Sequence, residues 1–298
     1  MKVFLFEYAT HSGVDDPSIL IEGLGMFKAL YDGFAKFSEV HSSFKNLEKS
    51  DYALVIAPEK DYILLNLTKI IEKTGVPNLG SSTKALEITS DKWLLYNKLK
   101  GKVNVPKTSL KPLDPPFIVK PRVSCGCEGI MFADSVPEGY IAQQFIKGLD
   151  LSVSLLIGDE VRVLSVNKQI IEAFEYKGAI VPFDIEEKEE VINEAIKAVE
   201  CIKGLFGYVG VDIVLSTDGV PYIIEINARI TTPVVLFDDV YGMNLAELLI
   251  KNYEGKSIPD FKPLKKGILR KVKGKSCKSY VSYNGYHLVK EILYYNLK

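Results

Sequence analysis

Apolar residues fall into short continuous runs and 3.6-period stretches, separated by Gly, Pro and Asp-Gly punctuation. Residues 3–8 form a largely apolar run, which predicts a buried strand. Asp16-Pro17 predicts a capped helix start, with Ile19, Leu20, Leu24, Phe27 and Leu30 on one side and Gly33 as its end. A second buried strand is expected at 52–57 and a second helix around 64–71, ahead of Gly75-Val76-Pro77. This β-α-β-α order predicts a small parallel sheet with helices on it.

Beyond residue 84 the pattern changes. A helix capped by Thr89 or Ser90 should hold Asp91, Lys92 and Trp93 and fade near Lys100-Gly101. The Pro-rich stretch 106–116 reads as a link. Strands are predicted at 117–120, 129–133, 140–144, 151–157 and 161–171, and a helix at 186–206 with Val191, Ala195, Val199 and Ile202 on one face. Two strands, 208–215 and 220–227, flank Asp218-Gly219, and a helix at 245–253 and a strand at 268–272 close the chain. The expected class is therefore α/β followed by α+β.

Asp-Gly between two strand patterns is a hairpin signal. A two-residue loop at Asp218-Gly219 pairs Thr217 with Val220, Ile213 with Ile224, and Asp212 with Glu225. Carboxylates opposite one another repel unless a proton or a cation intervenes. Asn227 lies two residues past Glu225, on the same face, and completes a hard-oxygen set suited to Mg²⁺. The same pattern also describes two acids on a solvent face, and a three-residue loop would slip the register and part them. The hairpin alone leaves these alternatives open.

Composition narrows the class. The chain has 298 residues, 47% hydrophobic and 25% charged, with a net charge of −1. That is ordinary globular usage, too long for one core, and it excludes disorder and low-complexity scaffolds. The charge balance gives no reason to expect nucleic acid as a partner. No segment reaches 18 uninterrupted apolar residues, so no membrane span is expected, and the first apolar run breaks at Glu7, so no secretory signal is expected. Four Cys (Cys125, Cys127, Cys201, Cys277) and three scattered His make neither a disulfide scaffold nor a zinc site. Reduced thiols and a cytoplasmic location are the simpler expectation. Only four residues are Arg (Arg122, Arg162, Arg229, Arg270), so an Arg inside a motif is informative.

Lys120 ends the apolar run Phe117-Ile118-Val119 and precedes a small-residue loop, Ser124-Cys125-Gly126-Cys127-Glu128-Gly129, whose backbone N–H groups can approach phosphate oxygens. No Gly-Lys-Ser/Thr follows, so it is not a Walker loop. The stretch Gln143-Gln144-Phe145-Ile146-Lys147-Gly148-Leu149-Asp150 offers an amide and backbone for a purine edge and an acid for ribose hydroxyls, or is simply a polar turn.

In this order the pieces resemble the ATP-grasp superfamily: Ser90-Asp91-Lys92, then Phe117–Pro121, the loop through Glu128-Gly129-Ile130, Gln143–Asp150, Asn167-Lys168-Gln169, Asp212 and Glu225-Ile226-Asn227-Ala228-Arg229. The resemblance spans roughly residues 80–255. It implies an ATP-grasp fold behind an N-terminal Rossmann-like (pre-ATP-grasp) α/β domain, divided as 1–84, a central lobe at 85–146 and a C-terminal lobe at 147–298. Carried over, it implies ATP as substrate, bound by Lys92, Lys120, Ser124, Gly126, Gly129, Gln144, Phe145, Ile146 and Asp150. Mg²⁺ or Mn²⁺ would sit on Asp212, Glu225 and Asn227, and Arg229 would stand beside the transferred phosphate. Gln144 replaces the family's more usual Glu. The implied activity joins a carboxylate to an amine through an acyl phosphate. The segments Phe6-Glu7-Tyr8-Ala9-Thr10 and Ile21-Glu22-Gly23-Leu24-Gly25-Met26 resemble an archaeal branch that uses the γ-carboxylate of L-glutamate and an amine such as tyramine. Another amino-acid or dipeptide ligase, or a kinase, are the competing readings. Amine specificity, a general base and oligomeric state are not readable from the residues.

Overall fold

The computed structural model describes residues 1–14, 16–275 and 278–294. Cys277 lies outside the described residues. Three sheets make the frame. In the first, β1 (Lys2–Glu7) runs parallel between β2 (Glu39–His41) and β3 (Tyr52–Ile56). This is the small parallel sheet the pattern predicts, and the helices Pro17–Phe34 and Ile63–Thr74 pack on it. Asp16 caps the first of these as expected, accepting from Ser18 N–H at 2.8 Å. Gly33 does not end it. The helix runs through Gly33, where an added Cβ would stand 2.6 Å from Asn244 Oδ1, so the glycine admits a neighbour.

The second sheet holds β4 (Thr108–Ser109), β5 (Phe117–Pro121), β6 (Met131–Phe132) and β7 (Tyr140–Gln144), in the order β4-β7-β5-β6. The third is antiparallel and eight-stranded. It contains β8 (Gly148–Ile157), β9 (Val161–Glu172), β10 (Glu175–Val181), β11 (Gly207–Ser216), β12 (Pro221–Asn227), β13 (Lys265–Lys273), β14 (Val281–Tyr283) and β15 (Tyr286–Tyr294). Its order is β12-β11-β8-β9-β10-β13-β15-β14. The sequence reading misses β10, β14 and β15, and it overextends the helix Lys188–Glu200 at both ends. It also misses the helix Thr83–Thr89. The next helix, Lys92–Leu99, is capped by Asp91, which accepts from Trp93 and Leu94 N–H, and neither Thr89 nor Ser90 serves as its cap.

The two larger apolar clusters each mix residues from the first 84 with residues of the eight-stranded sheet. One joins Phe4, Phe6 and Val55 to Leu151, Val153 and Val211. The other joins Ile21, Met26 and Leu30 to Leu156, Leu164 and Leu288. The small parallel sheet is therefore locked onto the large one, while the four-stranded sheet has a modest core of its own around Phe117, Val119 and Ala142. Among the described residues no helix is long and apolar enough to cross a membrane.

Candidate active site

A cleft of about 500 Å³ opens where the three sheets meet, within the range of small-molecule sites. Its walls contain Lys92, Lys120, Ser124, Gly126, Gln144, Phe145, Ile146, Asp150, Asp212, Glu225, Asn227 and Arg229. These are all the predicted site residues except Gly129. That glycine (φ +71°) closes the loop against Pro121, where a Cβ would sit 2.8 Å from the proline ring.

The hairpin carries the acids. Asp212 does face Glu225, but for a different reason from the two-residue loop expected. The loop has three residues: Gly219 N–H bonds the Ser216 carbonyl (3.0 Å), and Ser216 N–H bonds the Val220 carbonyl (2.9 Å). Gly219 takes φ +80°, the left-handed residue such loops require. This slips the register, so Ile213 pairs with Ile223 and not with Ile224. A β-bulge then inserts Ile224, and the slip is undone at Asp212–Glu225, Val211–Ile226 and Gly210–Asn227.

The result is a half-buried pair of carboxylates. Burial, and then the neighbouring Glu225 charge, push the Asp212 carboxyl up to about 7. Asn227 Nδ2 (3.0 Å) and Gln169 Nε2 (2.9 Å) donate to Asp212 and hold it in place. Lys92 Nζ lies 3.1 Å from Glu225 Oε1 and also bonds the carbonyl and hydroxyl of Ser124. Ser124 therefore positions a lysine as well as opening the small-residue loop. Lys92 starts a helix and Lys120 stands near the end of a strand; both are buried, 7% and 5% exposed, and Lys120 lies in the field of Glu225, Lys92 and Asp212. Burial lowers the Lys120 pKa to about 8, against the pull of Glu225.

No cluster of three His, Cys, Asp or Glu capable of holding a metal occurs among the described residues. Asp212 and Glu225 with the Asn227 amide form a smaller set, all oxygen. Burial pushes the thiols of Cys125 and Cys127 up to about 11 and about 12, so the nearby sulfurs stay protonated and are poor metal ligands. Two facing acids and hard donors fit a divalent cation such as Mg²⁺ or Mn²⁺.

At the other end of the cleft, Gln144 is exposed on the wall, whereas Gln143 is buried and donates to Thr108 (3.3 Å). Phe145 N–H is spent on the Pro116 carbonyl (3.1 Å), so any base contact there falls to its carbonyl or to Ile146. Burial raises the Asp150 pKa, with Lys120 and Lys168 opposing.

Arg229 departs most from expectation. Its guanidinium makes a two-pronged bond to Glu59, Nε–Oε1 2.8 Å and Nη2–Oε2 3.0 Å, and reaches Asn227 Oδ1 at 3.5 Å. Burial opposes its charge, but Glu59 outweighs this and raises its pKa. Glu59 is 3% exposed and follows β3. Nothing in the local pattern around Pro58-Glu59-Lys60 marks it, since its partner is 170 residues away. Its neighbour Lys60 ties the small-residue loop through Glu128 (2.7 Å).

Known proteins share this arrangement. A family profile for the ATP-grasp domain matches residues 89–233, and one for the pre-ATP-grasp domain matches 35–86. A tyramine–L-glutamate ligase from Methanocaldococcus jannaschii is 42% identical over 288 residues, 84% of this chain and 88% of the relative. The enzyme of the same name from Methanocaldococcus fervens is 41% identical, over 84% and 93%. A solved ATP-grasp superfamily protein from Archaeoglobus fulgidus superposes with a TM-score of 0.88 at 47% identity, covering 99% of this chain and 100% of that one. Fold, cleft and relatives lead to one conclusion: the chain belongs to the ATP-grasp family.

Proposed function

We propose that this protein is an ATP-dependent ligase that joins the γ-carboxylate of L-glutamate to the amine of tyramine, releasing ADP and phosphate. The observation that carries the ligase chemistry is the gathering of two buried lysines at the facing acids, Lys92 paired with Glu225 and Lys120 in the field of Glu225 and Asp212. The likeness to the tyramine–L-glutamate ligases supports the choice of substrates.

A carboxylate is a poor electrophile because its leaving group would be oxide. In the first step the γ-carboxylate oxygen attacks the γ-phosphorus of ATP, the bond to the β–γ bridging oxygen breaks, and ADP leaves. In the second, the amine nitrogen attacks the acyl carbon, and phosphate departs with the C–O electron pair while nitrogen loses a proton. Lys92 and Lys120 offset charge on the β- and γ-phosphates, and the loop Ser124–Gly126 supplies backbone to them. Gln144, Phe145 and Ile146 would face the base, and Asp150 the ribose. Asp212, Glu225 and Asn227 would hold Mg²⁺ or Mn²⁺, which when bound neutralises phosphate charge. Arg229, steered by Glu59, would stand beside the transferring phosphoryl group.

The test is mass spectrometry of products from ATP, Mg²⁺, glutamate and a panel of amines. A γ-glutamyl amide with tyramine, and ADP release dependent on both substrates, are expected. A dipeptide product, or phosphate transfer to a hydroxyl, would overturn the assignment.

A further inference from the structure

The same cleft is lined by a group of residues that the nucleotide-facing set does not account for, and this part of it is the chamber considered next. One stripe of the helix Pro17–Phe34 forms its wall: Ile19, Glu22, Gly23 and Met26, at the spacing of a single helix face. Tyr176 of β10 and Pro233 also line it. Among these apolar side chains stand two acids and the hydroxyls of Tyr176 and Thr232.

Glu22 is held from behind. Lys271 Nζ, 5% exposed on β13, bonds its Oε1 at 2.7 Å and Ser18 Oγ at 2.7 Å, and the Thr232 hydroxyl donates to Oε2 at 2.9 Å. Lys271 is absent from the chamber wall, so Glu22 is what the chamber presents. A second acid stands beside it. The Glu7 carboxylate packs against Gly23, where a Cβ would fall 2.3 Å from Oε1. Glu7 makes no ion pair among the described residues. Its carboxylate accepts from Ala9 and Thr10 N–H and the Thr10 hydroxyl, and the His11 ring sits against the Glu7 carbonyl. Lys271 offsets the Glu22 charge and burial disfavours the charge of Glu7, so the two acids act here as hydrogen-bond acceptors and not as excess charge. Among the described residues the buried Tyr176 hydroxyl makes no hydrogen bond of good geometry, although the Thr232 side chain lies near it. This stretch of wall offers carboxylate acceptors to an ammonium group and an apolar surface to the body that carries it, and it presents no cation to the carboxylates of glutamate.

We propose that this chamber is the subsite of the amine cosubstrate, and that Glu22 selects an ammonium group carried on an apolar, aromatic-sized body. The proposal rests on the ligase reading above. Lys271 is a positioning residue that acts through Glu22.

Glu22→Gln should raise the KM for tyramine at least tenfold and leave the KM for glutamate within twofold. Hydroxylamine, a small neutral nucleophile that needs no ammonium site, should still trap the γ-glutamyl phosphate as its hydroxamate. A raised KM for glutamate with loss of hydroxamate would overturn the proposal. Because Glu22→Gln also strips Lys271 of its partner, a second measurement uses the wild-type protein. Tyrosol, the uncharged hydroxyl counterpart of tyramine, should compete at least tenfold more weakly than tyramine does with other amines. Equal competition would overturn it. Wild-type enzyme that forms the hydroxamate but couples no ammonium substrate refutes the subsite alone. Enzyme that forms neither refutes the ligase reading, and the subsite with it.

Discussion

Arg229→Lys separates two roles that the structure gives to one side chain. The guanidinium spends two donors on Glu59, at 2.8 and 3.0 Å. Lysine offers a point charge and cannot make the fork, so one charge-assisted bond is lost. That bond is worth about 2 kcal/mol of stability, which lowers Tm by roughly 3 °C in a chain of this size. If Arg229 also meets the transferring phosphoryl group, the missing donor costs about 3 kcal/mol in the transition state, or on the order of 10²-fold in kcat. Glu59→Gln is the control. It should lower Tm by at least as much, because it leaves a buried guanidinium without its counter-charge, yet it keeps the guanidinium in place and should keep kcat within about tenfold. The assays are thermal melting and steady-state ADP release at saturating ATP and glutamate. The expected result is a Tm loss in both variants and a large kcat loss in Arg229→Lys alone. If Arg229→Lys melts lower but turns over at the wild-type rate, the arginine only ties β12 to Glu59, and the catalytic reasoning fails.

Three further expectations follow from the site. Glu225→Gln should cut turnover more than about 10²-fold without changing the circular dichroism; activity that ignores a magnesium or manganese titration would argue against the Asp212–Glu225–Asn227 assignment. In the ATP-free protein Lys120 titrates near 8, lowered by burial, so it is a cation below that pH and neutral above it. ATP affinity should therefore fall as pH rises through 8, approaching about tenfold per unit, and a flat calorimetric profile from pH 7 to 9.5 would refute it. Gly148→Ala would place a Cβ 2.1 Å from the Leu215 carbonyl oxygen and force β8 from β11 beside Asp150. A loss of about 1–3 kcal/mol and weaker nucleotide binding are expected; an unchanged melt and Kd would show that the strands yield freely.

The local elements that the sequence determined are those governed by neighbours within a turn or two. The apolar run of β1, the Asp16-Pro17 cap and the period of the helix Lys188–Glu200 are short-range physics. Lys92 and Lys120 were legible for the same reason, because one begins a helix and the other closes an apolar run, whereas Asp150, Asp212 and Glu225 lie inside strands and were placed by the order of motifs that resembles the family. Strands β10, β14 and β15 were not legible. Their residues alternate only weakly, and pairing with partners as far away as β13 decides them. The register of the acid hairpin shows the limit most clearly. Asp-Gly announced the turn, but loop length and the bulge at Ile224 are two opposite one-residue shifts that depend on how β11 lies on β8. Glu59 against Arg229, and Lys271 behind Glu22, join residues 170 and 249 positions apart. No local pattern encodes such pairs, because burial by the assembled sheets is what makes an unmatched charge costly and so decides which partner it must find.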